Sequence, residues 1–184
     1  MKASPSPLLL LLPLLAAGFL ASCGDQQAPP PIIDISSTEP ITLEDSTLTA
    51  AATGARQSFP KFLESAGDLD SAGTAFMAKI RVTESEGLEE DLWVSSITAE
   101  LGVDGESAGS GFYTGVVGDL PSLLQTLNLG DIVRFHLTQV IEWQYFERNQ
   151  VKGAQVSRIL RSRMSPAERA EFDASYDPFT FEEG

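Results

Sequence analysis

The sequence predicts an α+β domain: a small, mainly antiparallel sheet of about four or five strands, with an N-terminal helix and C-terminal helices packed against it. Three patterns predict it. Leu48, Ala52, Ala55, Phe59, Phe62 and Ala66 step alternately by four and three, the spacing of one helical face. Phe76, Ala78, Ile80 and Val82 alternate with Lys79 and Arg81, the period of a half-buried strand. Ser165, Pro166 and Glu168 have the form of a helix start, with a capping hydroxyl, a proline at the first turn and a returning carboxylate.

Taken in order, the first helix has Asp45 or Ser46 as its N-cap and Gly67 as its stop, with a kink or break expected near Arg56 to Phe59 because of Pro60. "AFMAKIRV" and "EDLWVSSITAE" flank "TESEGLE", which reads as a hairpin turn. "GVDGESAGSG" is a loop and "FYTGVV" a third strand. "DLPSLLQTLNLGD" connects to "IVRFHL", and "VIEWQYF" either continues that strand or forms another. "AQVSRILRSR" and "SPAERAEFDASY" are the closing helices.

Ahead of the domain, Lys2, the apolar run Leu8 to Leu20 and the small pair Ala21-Ser22 form the layout of a secretory signal. The apolar run would span about 20 Å as a helix, against about 30 Å of hydrocarbon, and Pro13 interrupts it, so a resident membrane helix fits less well. Leu20-Ala21-Ser22-Cys23 resembles the lipobox of bacterial lipoproteins. That resemblance implies that Cys23, the one cysteine of the chain, accepts a diacylglyceryl group, is exposed by cleavage and carries acyl chains such as palmitate. A single cysteine forms no intramolecular disulfide. Gly24 directly after Cys23 implies outer-membrane delivery, facing the periplasm, in a Gram-negative cell, and the outer face of the plasma membrane otherwise. The expected divisions are a signal peptide over 1–22, a proline-rich flexible tether over 23–45, the domain over 46–177 and an acidic tail over 178–184. A coil of the tether's length spans on the order of 25 Å.

The chain has 12 basic and 26 acidic residues, a net charge of −14, and cleavage would remove Lys2 alone. Such a chain is repelled by phosphates, so nucleic acid is not an expected partner. The expected partners are the membrane, through lipid on Cys23, and an envelope protein.

"AAATGARQSFPKFLES", "AFMAKIRV", "EDLWVSSI" with Trp93, "DLPSLLQTLNLGDIV", "VIEWQYF" with Trp143, and "VKGAQVSRIL" with Gly153 and Arg158 follow one another in a recognisable order. On these segments, residues from about 48 to 176 resemble a bacterial family of unknown function, number 2314, the YegJ-like proteins. Three positions depart from it. The family tends to have aspartate where this chain has Glu142, and a glycine pair followed by threonine where it has Gly153-Ala154 followed by Val156. The resemblance implies no activity and no cofactor.

Site candidates follow from residue chemistry. Glu142 beside Trp143, with Arg158 as a charged partner, is the candidate pocket; the plain alternative makes the tryptophans core and Glu142 an ion-paired residue. His136, the one histidine, is a candidate general base for a small-molecule hydrolase using Glu142, His136 and Arg158. Arg161 and Arg163 belong to a run of basic residues that either docks an acidic partner or is a solvated helix face. No metal site is expected: zinc ligands are too few, and the five carboxylates of Glu84 to Asp91 lack a calcium-loop spacing and read as a solvated hairpin tip. The leading expectation is a lipid-anchored, non-enzymatic binding or organising module, with no catalytic residues.

Overall fold

The computed structural model describes residues 29–69, 76–84, 87–101 and 110–181, with the backbone alone for 66–69. The strands are β1 (Ile32–Asp34), β2 (Phe76–Thr83), β3 (Glu89–Ala99), β4 (Phe112–Val117), β5 (Ile132–His136), β6 (Val140–Glu147), β7 (Gln150–Gly153) and β8 (Thr180–Phe181). The helices are α1 (Ser46–Leu69), α2 (Gln155–Arg163) and α3 (Pro166–Ala174). The strands form one sheet in the order β1-β5-β4-β3-β2-β6-β7-β8. β1 pairs parallel with β5 and β7 parallel with β8, and the other five pairings are antiparallel.

The expected small, mainly antiparallel sheet of four or five strands is therefore corrected to one large mixed sheet of eight strands with three helices. The extra strands are two to four residues long, too short to display an alternation. β6 and β7 join through Arg148 and Asn149, both at positive φ, a tight turn made without glycine. "IVRFHL" and "VIEWQYF" are separate strands, joined by a 3-10 turn at Leu137–Gln139 and placed on either side of β4, β3 and β2.

α1 starts where Asp45 Oδ1 accepts the Thr47 and Leu48 amides at 2.7 and 3.2 Å. It runs unbroken past Pro60 and past Gly67, to Leu69, contrary to the expected interruption. A proline inside a helix costs about 3 kcal/mol. Phe59 and Phe62 on either side of it are buried, and each such side chain contributes about 1.5–3 kcal/mol. Burial wins, so the helix continues. Its apolar face covers one face of the sheet, where Phe59 and Phe62 meet Ala78, Ile80, Leu92, Val94, Tyr113 and Phe135.

A shift of register between Lys79 and Ile80 inserts Ile141 as an extra residue in β6. Val140 joins the core under α1, whereas Ile141 packs with Ala52 and Val156. Beyond the bulge, alternation sends Trp143 to the α1 face and Glu142 and Gln144 to the other. On that second face Phe146, Phe172, Tyr176 and Phe179 close around Val151, Ala154 and Phe181. α3 carries the reciprocal cap seen in its sequence, Ser165 with Glu168.

Part of the segment expected as a flexible tether is folded. Ile33 and Ile35 pack on the main core and Ile41 and Leu43 on the second cluster. The buried Gln139 fastens it with all four of its hydrogen-bonding sites. Its Oε1 accepts the Ser37 and His136 amides, and its Nε2 donates to the Ile35 and Arg81 carbonyls. The expected acidic tail likewise contributes β8, with Phe181 buried. Among the described residues no helix is long and apolar enough to cross a membrane. The signal segment, Cys23 and the central "GVDGESAG" lie outside the described residues.

Candidate functional site

The second face of the sheet carries a cleft of about 460 Å³ between β2, β3 and β6 on one side and the end of α3 on the other. Its wall includes Met77, Lys79, Trp93, Asp119, Tyr176 and Phe179. Lys79 lines it between two strand neighbours, with Trp93 its partner on β3 and Glu142 its partner on β6. The Lys79 ammonium is 4.6 Å from the centroid of the Trp93 ring and 3.1 Å from Glu142 Oε1. It is thus held by a cation–π contact and an ion pair at once.

Glu142 is fully buried beneath it. Its Oε2 accepts the Ser157 amide at 2.9 Å, and its Oε1 accepts the Ser157 hydroxyl at 2.6 Å. The first turn of α2 thereby closes over a charge that would otherwise be stranded. That turn depends on Gly153 at φ 75° and Ala154 at φ 52°. A Cβ at position 153 would lie 2.4 Å from the Trp143 carbonyl oxygen, so glycine is required there. Ala154 follows Gly153 in the left-handed region, a conformation that glycine adopts more readily than alanine.

The Tyr176 hydroxyl is 3.5 Å from Gln144 Oε1. Its pKa is pushed up to about 12, by burial first and then by the negative charge of Glu142, while a hydrogen bond with Ser157 pulls the other way. It is a neutral donor at neutral pH. Asp119 accepts the Trp93 amide at 3.0 Å and so fixes the start of the β4–β5 connection to β3. The cleft offers a positioned ammonium, a phenol and an aromatic wall, the means to grip a ligand with an acceptor group and an apolar body. Ser157 near Glu142 has the spacing of a nucleophile and its base, but both are buried beneath the cleft, out of a substrate's reach.

The structure separates the expected pocket residues. Glu142 supports the cleft from below. Trp143 faces the opposite way, stacked on Phe62 at 4.5 Å, with its indole N–H donated to Ser58 Oγ at 3.0 Å. The Arg158 guanidinium donates to the carbonyls of Gly153 and Val151 and lies 5.3 Å from the Phe181 ring, fastening β7 to α2 and β8. His136 is on β5, four strand spacings or about 19 Å from β6. Its Nδ1 lies 2.8 Å from Thr138 Oγ1, and burial, then Arg134, lowers its pKa. Glu142, His136 and Arg158 therefore do not converge.

Two arginines of the basic run are internally engaged. Arg161 grips Asp173 with two bonds of 2.6 and 2.7 Å, and Arg163 meets Asp45 at 2.9 Å. The acidic hairpin is engaged too. Glu90 accepts the amides of Ser122, Leu123 and Leu124, Glu84 accepts from Thr126, and Asp91 pairs with Arg81. Among the described residues no group of three His, Cys, Asp or Glu is placed to hold a metal ion. Sequence reasoning passed over Lys79, Ser157 and Tyr176. The available signal was Lys79 on the charged face of its strand, since a cation amid a sheet needs an acid beside it.

Comparison with curated proteins and with solved structures finds no match. Residues 45–178 match the model of the family described as "Uncharacterized protein conserved in bacteria (DUF2314)", and the chain belongs to that family.

Proposed function

We propose that this chain is a lipid-anchored protein of the bacterial envelope and that its domain, of the YegJ-like kind, is a non-enzymatic binding module whose partner enters the cleft over Lys79. The anchor reading is supported by Leu20-Ala21-Ser22-Cys23 after an apolar run with a basic start. It places the protein on the outer membrane facing the periplasm in a Gram-negative cell, and on the outer face of the plasma membrane otherwise. Two or three acyl chains hold a protein on a bilayer, because each buried methylene contributes about 0.8 kcal/mol. The binding reading is carried by the ammonium fixed between Glu142 and Trp93 at the floor of a cleft.

Two variants test the two halves. Cys23→Ser should leave an unacylated, uncleaved precursor, read by the mass of the N-terminal peptide; normal processing would refute the anchor. Tyr176→Phe should keep the fold and reduce recovery of the bound partner when the protein is purified from membranes. Equal recovery of every co-purifying species from wild type and variant would refute the cleft as the binding site.

A further inference from the structure

Four aliphatic side chains are exposed at one end of the sheet, Ile32 and Leu129 beside β5 and Leu120 and Leu123 beside the start of β3. Leu120 is 77% exposed, Leu129 59%, Ile32 57% and Leu123 52%. Three of them belong to the connection between β4 and β5, which has no helix or strand of its own. It is nonetheless tied down. The Glu90 carboxylate accepts the Ser122, Leu123 and Leu124 amides at 2.8, 2.9 and 3.2 Å and the Ser122 hydroxyl at 2.7 Å. Glu84 accepts the Thr126 hydroxyl at 2.6 Å, and Asp131 accepts the Asn128 amide at 2.7 Å. Leu124 and Leu127 point inward and are buried. A carboxylate that accepts three successive amides fixes the backbone there, with Leu123 turned outward and Leu124 inward. Leu123 is thus held outward by a fixed backbone, and Leu120 and Leu129 are exposed on the same tied connection.

The course of the chain says what covers them. β1 runs parallel to β5 with Ile32 opposite Ile132. The residues before Ile32 therefore arrive beside Asp131 and Leu129. Cys23 lies nine residues before Ile32, a reach of at most about 30 Å. Gln139 clamps residues 35 to 37, so no further length can be paid out from the domain side. A lipid on Cys23 keeps this end of the sheet close to the bilayer. Acidic groups surround the leucines, and a chain of net charge −14 is repelled by anionic headgroups. A zwitterionic surface is the one that fits.

We propose that this end of the sheet is a membrane-seating surface, with Leu120, Leu123 and Leu129 inserted into the interface of a zwitterionic bilayer. The proposal rests on the lipid-anchor reading above, and the test separates the two. The full-length protein is purified from membranes and reconstituted in phosphatidylcholine vesicles, and acylation of Cys23 is read first by mass. Two single-cysteine labels are compared, Leu123→Cys and Leu101→Cys. Leu101 is a more exposed leucine, 69%, beyond the opposite end of β3 and about 35 Å away along that strand. Quenching by nitroxide-bearing lipids should be at least about fivefold stronger at 123 than at 101. Introducing Leu120→Ser and Leu129→Ser should abolish that difference while the melting temperature is kept.

Acylated protein with equal quenching at the two positions overturns the seating surface and leaves the anchor standing. A label at 123 shielded from aqueous iodide but unreached by the lipid quencher means a protein or a second copy covers the leucines, and also overturns it. Unacylated protein overturns both readings.

Discussion

Replacing Lys79 with Met removes the ammonium 3.1 Å from Glu142 while keeping an unbranched chain against Trp93. Packing is nearly preserved and the charge is lost. Glu142 keeps only the amide and hydroxyl of Ser157. Removing one partner of a buried pair costs about 3–5 kcal/mol. The Lys79 side chain is 22% exposed and Glu142 is not exposed at all, so water reaches the vacated position and the lower figure, about 3 kcal/mol, is expected. In a domain of this size that lowers the melting temperature by about 6–12 °C. Glu142→Gln is a different perturbation. With its oxygen on the Ser157 amide and its N–H₂ donated to the Ser157 hydroxyl, the new amide opposes only the ammonium, and Lys79 can turn to water. The charge-assisted bonds are lost without stranding a buried group, at about 1–3 kcal/mol. The double variant should cost about the same as Glu142→Gln alone, well below the sum of the singles. Urea unfolding followed by circular dichroism measures all three. A loss below about 1 kcal/mol for Lys79→Met, or strict additivity in the double variant, would refute a pair-dependent carboxylate.

Tyr176, with its pKa pushed up to about 12, should give the latest step of an alkaline absorbance titration, and Tyr176→Phe should remove it. A raised folded value means that its contribution to stability is complete below about pH 10 and is lost as the pH rises toward 12; a wild-type titration complete by pH 11 would contradict this. Glu90→Gln leaves one accepting oxygen where two served four donors, so the Ser122–Leu124 amides should exchange at least tenfold faster by hydrogen exchange. The Glu90 pKa is lowered to about 2, chiefly by the Ser122 hydroxyl. Acid should release the same amides only as the pH falls from the ordinary carboxyl range toward 2, and release beginning at neutral pH would count against the tie. Arg161→Gln breaks a partly buried two-bond pair and should cost about 1–2 kcal/mol, whereas the more exposed Arg163→Gln should cost about 0.5 kcal/mol or less. Equal melting temperatures for those two variants would overturn that ranking.

Patterns with a full period were legible in the chain. Ala78, Ile80 and Val82 are buried as their alternation indicates, and Ala52, Ala55, Phe59 and Phe62 form the buried stripe of α1. Ser165 and Glu168 cap α3 because that motif is complete within four residues. What failed depended on partners distant in sequence. Ile32 to Asp34 become a strand only because Ile132 to Arg134 lie beside them, a hundred residues on. Pro60 misled for the same reason: its cost is local, whereas the burial that outweighs it is tertiary. The site was half legible. Glu142 was picked for its aromatic neighbour, but in a strand the adjacent residue faces away. Its true partners, Lys79 and Ser157, come from β2 and α2, and the bulge at Ile141 that sets which side Glu142 takes leaves no mark in the sequence. The arginines of α2 read as surface charge because Asp173 and Asp45, their acids, sit on other elements.

Both margins of the sheet are supplied from outside the family's span of residues 45–178, one by β1 and the other by β8. A fragment trimmed to that span would bare the amide and carbonyl rows of β5 and β7 together. Gln139, buried, would keep two of its four bonds, and Val151 would lose the cover of Phe181. Naked strand rows of this kind template pairing with other chains. The trimmed fragment should therefore precipitate or self-associate where a chain kept from Pro29 to Phe181 stays monodisperse. The hems that keep the sheet from stitching onto its neighbours are sewn by the chain's own two outer segments, and they lie beyond the reach of the family match.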